Sequence, residues 1–407
     1  MKRILFFIGE YNGYVNAGKR IALTIAKEFK KNGIECVLTA FSYKKNKVEE
    51  FKIDGLNLVV FPANAELCNL RTKYIELRAK NNVVVLLNNF DLVFKYLINY
   101  FNQRKDLIRN INDLINKKEI EKIICFYNPF VPTIDVIKHV RCKSIVYQLD
   151  SAYLYEQNPI KRITRKIQEI ELFRKSEYVF TMTTLYDLYK KDYFYSKIIN
   201  RIIPINFPNV RRKEKTEQHL IKYNDEKYNI LYLGSLDDKI RNPERVLRFI
   251  CNIIDEGKNN ICLYFVGKNK SKICNEYKER YANNIFIFDA IDSDLADSLM
   301  NDNVFLLNIG NNTTSQIPSK IIDYISTGNP IISDSKNEKD PCTKMLEKYW
   351  MYYLFEEYKE NNNPEEFKCF LNYAKGKKAK YEDIAKQYYE FTPKYVSEVL
   401  LSKIGYK

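Results

Sequence analysis

Histidine is nearly absent from this chain: His139 and His219 are the only two in 407 residues. That leaves no histidine-rich zinc site and argues against a Ser-His-Asp hydrolase. The nine cysteines form no CxxC pair, and their number is odd. Most lie in apolar, strand-like segments, such as Cys125 in IICFYN and Cys262 in ICLYFVG, so buried free thiols in a reducing, cytoplasmic compartment are expected. No GxGxxG follows a strand-like run, which leaves a nicotinamide enzyme without support. Long apolar runs are missing too. Val83 to Leu87 is typical, against the ~20 residues of a membrane helix. The opening MKRILFFIGEYNG is broken by Gly9 and Glu10 and shows no small-residue cleavage site, so it is not read as a signal peptide. No repeat of solenoid length and no low-complexity tract occurs.

What remains is a folded-protein composition, with 45% hydrophobic and 29% charged residues. At roughly 150 residues per domain, the length suggests two to three domains. Lys and Arg number 66 against 51 Asp and Glu, a net charge of +15. Such a surplus suits phosphates, nucleic acid or an anionic membrane. A general richness in Lys, Ile, Asn and Tyr accounts for it equally well. No nucleic-acid motif or basic patch with interleaved aromatics is present, so nucleic acid is not the expected partner.

The hydrophobic pattern alternates strand and helix. RILFFIG reads as a strand, the stretch around Ile21, Ala22, Ile25, Ala26 and Phe29 as a helix, and IECVLTAF as the next strand. GLNLVVFPA, EKIICFYN, KSIVYQLD and EYVFTMT continue the strands, with helices over about 91–118, VPTIDVIKHV and about 161–175. IIPINFPNV ends this series, and RRKEKTEQHLIKYNDEK reads as a linker or surface loop. A second series follows: strands NILYLGSL, ICLYFVG, NIFIFDAI, NVFLLNIG and NPIISD, with helices PERVLRFICNII, DSDLADSLM and PSKIIDYISTG. Helix then runs from about Pro364 to the end, broken near Pro393. Two α/β units with mostly parallel sheets are implied, with ligands at the carboxyl ends of the strands or between the domains.

Three motifs invite chemistry. Gly13 to Arg20, GYVNAGKR, fits G-x4-G-K after a strand. Arg20 replaces the hydroxyl residue that would hold magnesium, so Gly13 and Gly18 read as turn geometry or as a loop near a ligand. A P-loop nucleotide-binding protein using Lys19 is the alternative reading. The second motif is NNTTSQIPSKIIDYISTGNPIIS. Pro318 suits a first helical turn, and the N–H groups of Ser319, Lys320 and Ile321 then face outward with the positive helix end, where an anion fits. The Ser319 hydroxyl and Lys320 ammonium add donors. Asp323 lies on the same face, either to accept bonds from a ribose diol or to pair with Lys320. The third is LYLGSLDDKIRNPERVL, a strand ending in Gly234 and Ser235 and a polar loop carrying Arg241. Two charged donors contribute roughly 1.5–3 kcal/mol each to holding a phosphate.

The order strand–Gly–loop–Arg, then PSKxxxY with an acidic residue, then G-x-P and a hydrophobic strand, resembles glycosyltransferase family 4 and related GT-B enzymes. The resemblance implies an α/β fold of two Rossmann-like domains with an interdomain cleft and a C-terminal helix crossing back to the N-terminal domain. It places an acceptor domain at 1–207, a linker at 208–228, a nucleotide-sugar donor domain at 229–385 and the returning helix at 386–407. Arg241 resembles the family's diphosphate-neutralising base, and Ser319 and Lys320 its phosphate-binding helix start. Asp323 matches the second acid of a Glu-x7-Glu pattern whose first position falls at Ser315, which is not acidic. Ser235 stands where many members carry a basic residue. Gly13 to Gly18 resembles the acceptor-facing loop, and Asp150 a polar catalytic or positioning residue. The activity implied is sugar transfer from a UDP- or GDP-sugar, without metal or cofactor and with retention, to a saccharide or lipid-linked saccharide, in bacterial surface polysaccharide synthesis. KRITRKIQEIELFRK, 161–175, is basic and partly amphipathic, as suits either an anionic membrane surface, making the protein peripheral on the inner face, or an ordinary solvated face.

Overall fold

The computed structural model describes residues 2–11, 13, 17–45, 47–63, 69–70, 73–74, 76–77, 89–127, 133–154, 156, 158–213, 220–239, 241–257, 260–310, 319–335, 340–356 and 363–406. The chain divides into two units. Unit 1 comprises Met1–Asn206 with Val396–Lys407, and unit 2 comprises Phe207–Tyr395.

Unit 1 alternates β1 (Arg3–Glu10), α1 (Ala17–Lys31), β2 (Glu35–Ser42), β3 (Glu49–Ile53), β4 (Leu56–Pro62), α2 (Phe90–Lys117), β5 (Lys122–Tyr127), α3 (Thr133–His139), β6 (Lys143–Gln148), α4 (Pro159–Lys175), β7 (Tyr178–Thr181), α5 (Thr183–Lys191), α6 (Tyr193–Ser196) and β8 (Ile202–Pro204). Its sheet runs β3-β4-β2-β1-β5-β6-β7-β8, parallel except where β3 pairs antiparallel with β4. Continuous apolar runs such as IICF in β5 are buried throughout, as a sheet covered on both faces requires. β3 is absent from the periodicity reading. Its signal is the Asp54-Gly55 dipeptide, both residues at positive φ, which suits a tight hairpin turn.

Unit 2 follows the same plan: β9 (Tyr228–Leu233), α7 (Glu244–Asp255), β10 (Ile261–Val266), α8 (Lys272–Arg280), β11 (Ile285–Phe288), α9 (Ser293–Asn301), β12 (Phe305–Ile309), α10 (Ser319–Thr327), β13 (Ile331–Ser335), α11 (Pro341–Leu346), β14 (Tyr352–Glu356), α12 (Pro364–Ala374) and α13 (Tyr381–Gln387). Its sheet is β11-β10-β9-β12-β13-β14, and every pairing is parallel. α7 buries Val246, Leu247, Ile250, Cys251, Ile253 and Ile254, a stripe at helical spacing that covers one sheet face. Each fully buried aliphatic chain of this kind contributes roughly 1.5–3 kcal/mol. The last helix, α14 (Pro393–Lys403), begins in unit 2 and gives Val396–Lys403 to unit 1.

In both sheets the chain works outward in one direction and then in the other. The reversal falls between β1 and β5 in unit 1 and between β9 and β12 in unit 2. Such a switch point opens a crevice at the carboxyl ends of the strands.

The segment 208–228 corrects the linker expectation where it is described. It belongs to unit 2, and Val210, Lys213 and Ile221 are buried there. Its scarcity of apolar residues is misleading because its anchors are ionic: Arg211 pairs with Asp297 at 2.5 Å, and Lys213 pairs with Asp323. Residues 386–395, expected to return with the last helix, also belong to unit 2.

Candidate functional site

The two strands at the reversal in unit 2 pair briefly. β9 and β12 meet only through Ile230 with Phe305 and Leu231 with Leu306, whereas β9 pairs with β10 over its whole length. Toward its carboxyl end, therefore, β9 lacks a strand on one side. Two side chains from α10 take that place. The Tyr324 hydroxyl accepts the Leu233 N–H at 3.0 Å, and Lys320 Nζ donates to the Leu233 carbonyl. Four residues separate Lys320 from Tyr324, so one helix face supplies the donor and acceptor that a strand would have supplied.

Immediately beyond Leu233 the backbone is crowded. A Cβ on Gly234 would lie 2.3 Å from Lys320 Nζ and 3.0 Å from the Tyr232 hydroxyl oxygen; one on Gly267 would lie 2.2 Å from the Gly234 carbonyl oxygen. Both positions have positive φ, which favours glycine, and at Gly267 the obstruction is backbone as well, so a side chain there is barred on two counts. The strand ends thereby come close, and Lys320 reaches across them. The following loop folds back: Arg241 N–H donates to the Asp237 carbonyl at 3.0 Å. This sets Arg241 Nη1 3.3 Å from Ser235 Oγ. The Tyr232 hydroxyl donates to the Ser235 carbonyl at 3.0 Å.

Electrostatics at this edge are positive. Burial and then the charge of Arg241 bring the Lys320 ammonium down to about 8, with Asp323 acting in the opposite sense. Burial pushes the Tyr232 phenol up to about 12, against the pull of Arg241. The neighbouring guanidinium disfavours the charged form of Lys320, and an anion beside both would relieve that. Arg245, in the first turn of α7, pairs at 3.5 Å with the fully buried Asp334 near the end of β13. Among the described residues, no group of three or more His, Cys, Asp or Glu is placed to hold a metal ion.

The structure thus brings Gly234, Ser235, Arg241 and Lys320 together. Ser315 and Pro318 lie outside the described residues; Ser319 opens α10, its side chain likewise outside them. Asp323, for which the resemblance implies a ribose contact, is engaged by the segment before β9. Its Oδ2 accepts from Asn209 at 3.2 Å, and its Oδ1 accepts from Lys213. Lys213 is itself buried, and burial lowers its pKa, with Asp323 and Asp297 acting against that. Asp323 is therefore a counter-ion for the strap that precedes β9. Sequence spacing could not show this, because the partners are more than a hundred residues away.

In unit 1, Gly13 sits in a bend at φ +91 after β1, and Gly18 lies in the first turn of α1. Lys19 is buried, 5.5 Å from the Tyr11 ring centroid. Burial lowers its pKa, with Glu10 acting against. A P-loop lysine must instead reach a phosphate, which a buried Lys19 beside Tyr11 does not favour. Asp150 stands two residues past β6, half-buried at the carboxyl edge of the sheet. Beside it is a cluster that periodicity conceals. Glu169 of α4, fully buried, accepts bonds from Tyr195 Oη at 2.7 Å, Tyr189 Oη at 2.8 Å, the Ala152 N–H at 2.7 Å and Ser151 Oγ at 3.2 Å. Burial holds its carboxyl above the usual range, although these donors act in the opposite sense. The only sequence signal is an acid on the inward face of IQEIELF.

No family model matches the chain, and no curated protein matches it by sequence. Solved structures match over nearly its full length. It is similar to an α,α-trehalose-phosphate synthase (UDP-forming) from Burkholderia xenovorans, solved with glucose-6-phosphate, at 10% identity and TM-score 0.62 over 100% of both chains. It is similar to WaaG, a glycosyltransferase involved in lipopolysaccharide biosynthesis, at 12% identity and TM-score 0.52 over 98% of both. It is also similar to the UDP-GlcNAc 2-epimerase from Methanocaldococcus jannaschii, at 11% identity and TM-score 0.55 over 100% of both. At these identities the likeness establishes the fold, and the fold is GT-B, as the sequence motifs implied.

Proposed function

We propose that the chain is a glycosyltransferase that takes its sugar from a nucleoside diphosphate sugar bound at the carboxyl edge of unit 2. The observation that carries this reading is the pairing of Lys320 with Arg241 beside Gly234, at the switch point of a Rossmann-like sheet. The costly event in such a transfer is departure of the nucleoside diphosphate, on which negative charge builds. Lys320 and Arg241 meet that charge, and their mutual repulsion falls as it develops. Stabilisation that grows toward the transition state accelerates the reaction, whereas uniform binding does not. With these cations in place the proposal needs no metal. The close approach at Gly234 and Gly267 keeps side chains from covering the site.

The acceptor in this reading is a saccharide or lipid-linked saccharide with a free hydroxyl, approaching the loop edge of unit 1 near Gly13 and Asp150. The anomeric configuration is retained. Two structural neighbours, a UDP-forming trehalose-phosphate synthase and a glycosyltransferase involved in lipopolysaccharide biosynthesis, support a UDP-linked sugar and a surface saccharide.

The test begins with a thermal-shift screen of UDP-, GDP- and ADP-sugars, since a bound ligand raises apparent stability. Transfer of labelled sugar from the hit to saccharide acceptors follows. Lys320→Ala and Arg241→Ala are each expected to slow transfer by about tenfold or more. Normal transfer by both variants would remove the phosphate site. The epimerase-like fold raises a second reading, and the label separates the two: transfer moves it to an acceptor, whereas epimerisation leaves it on the nucleotide.

A further inference from the structure

α4 is a firmly started helix. Asn158 Oδ1 accepts the Lys161 N–H at 3.1 Å, and Pro159 occupies its first turn. Its second half buries Glu169, Ile170, Leu172 and Phe173. Its first half does the reverse. Ile160, Ile163 and Ile167 are 75%, 61% and 60% exposed. At 3.6 residues per turn, these three fall within an arc of about 60°. Next to them, Lys166 bridges to α6: its Nζ pairs with Asp192 and lies 5.4 Å from the Phe194 ring centroid. There Tyr193 and Phe194 are 67% and 50% exposed. Folding does not use this apolar surface.

Around it the charge is positive. Lys161, Arg162, Lys190, Lys191 and Lys197 are exposed. Of the acidic groups on these elements, Glu169 is buried, Glu171 pairs with Lys138 at 2.7 Å and Asp192 pairs with Lys166, which leaves the exposed Asp187 of α5 against five exposed cations. We infer that the outer face of α4, with the Tyr193–Phe194 corner, docks on a membrane surface bearing anionic lipid headgroups. Isoleucines enter the headgroup boundary, lysines and Arg162 meet the lipid charge, and the tyrosine tip stays at the wet interface. A second copy of the chain fits less well. Two such faces would oppose like charges, and one short helix stripe offers less area than the ~800 Å² per partner of a stable interface.

The inference stands on unit 1 alone and does not depend on the donor site. It is tested by flotation of the whole chain with vesicles of phosphatidylcholine, with and without a third of phosphatidylglycerol. The wild type is expected to float with the anionic vesicles, progressively less as salt rises, and weakly with the neutral ones. The triple variant Ile160→Ser, Ile163→Ser, Ile167→Ser is expected to bind about tenfold more weakly with unchanged far-UV circular dichroism. Lys161→Glu with Arg162→Glu is expected to lose the preference for anionic lipid. If the triple variant does not fold, Ile160→Ser alone, in the solvated first turn, gives the same readout at smaller amplitude. The inference is overturned if the wild type stays at the bottom of the gradient, if the serine variants float as it does, or if those variants turn a sedimenting dimer into a monomer without vesicles. Flotation reads no sugar transfer, so its failure leaves the donor-site proposal untouched.

Discussion

Lys320 holds one hydrogen bond to the Leu233 carbonyl while lying in the field of Arg241. Its proton leaves near pH 8 in the folded chain, whereas an unfolded lysine keeps its proton to about 10.4. Between those values the unfolded state binds more protons, so this group's contribution to stability rises with pH across that window. Ligand binding runs the other way, because a diphosphate needs the charged form. Calorimetric titration with the nucleoside diphosphate of the best donor is expected to weaken above pH 8, approaching tenfold per pH unit, and Lys320→Met is expected to abolish that slope. Glu169 shifts in the opposite sense. Burial raises its carboxyl pKa in the folded state, so its contribution is complete below the unfolded value of about 4.3 and is lost as pH rises through the raised value. Glu169→Gln is therefore expected to flatten the pH dependence of stability, at a cost of about 1–3 kcal/mol because its amide N–H2 meets donors where an oxygen accepted. Glu169→Leu leaves the Ala152 N–H and three hydroxyls without their acceptor and is expected to cost about 3 kcal/mol in urea denaturation.

Among the elements, the strap before β9 and the last helix show what local pattern conceals. The strap reads as a solvated linker because charge dominates it, yet Lys213 is buried between Asp297 and Asp323. Removing one partner from a buried ion cluster costs more than the cluster contributes. Lys213→Met is expected to destabilise unit 2 by about 3 kcal/mol in urea denaturation, and a change near zero would return the segment to a linker. α14 supplies fully buried Val396 and Leu400 to unit 1. Leu400→Ala is expected to cost about 2–5 kcal/mol there, measured the same way. Strands with unbroken apolar runs were legible because both faces of the sheet are covered. β14 was not, since YYLFE is half-buried at a sheet edge beside a charged stretch and carries little period. β3 was legible only through its Asp54-Gly55 turn.

At the scale of the molecule, two Rossmann-like units, whose sheets both reverse direction beside their first strand, reproduce the GT-B fold at about a tenth sequence identity. Alternating strands and helices made that architecture readable without coordinates. The donor edge was partly readable. Gly234, Arg241 and Lys320 converge because they follow or face the same strand end, and strand ends are visible in sequence. The use of Asp323 was not readable, because its partners lie far along the chain. Nor was the wedge of Lys320 and Tyr324 beside β9, which depends on how briefly β9 and β12 pair.

The most direct measurement of the central claim is a double-mutant cycle on donor affinity. The dissociation constant of the preferred nucleoside diphosphate is determined for the wild type, Lys320→Met, Arg241→Met and the pair. Each single change is expected to weaken binding by roughly ten- to a hundredfold, and the double change by less than the product, because both cations act on one diphosphate. Wild-type affinity in all three variants, or losses that multiply as for independent sites, would contradict it.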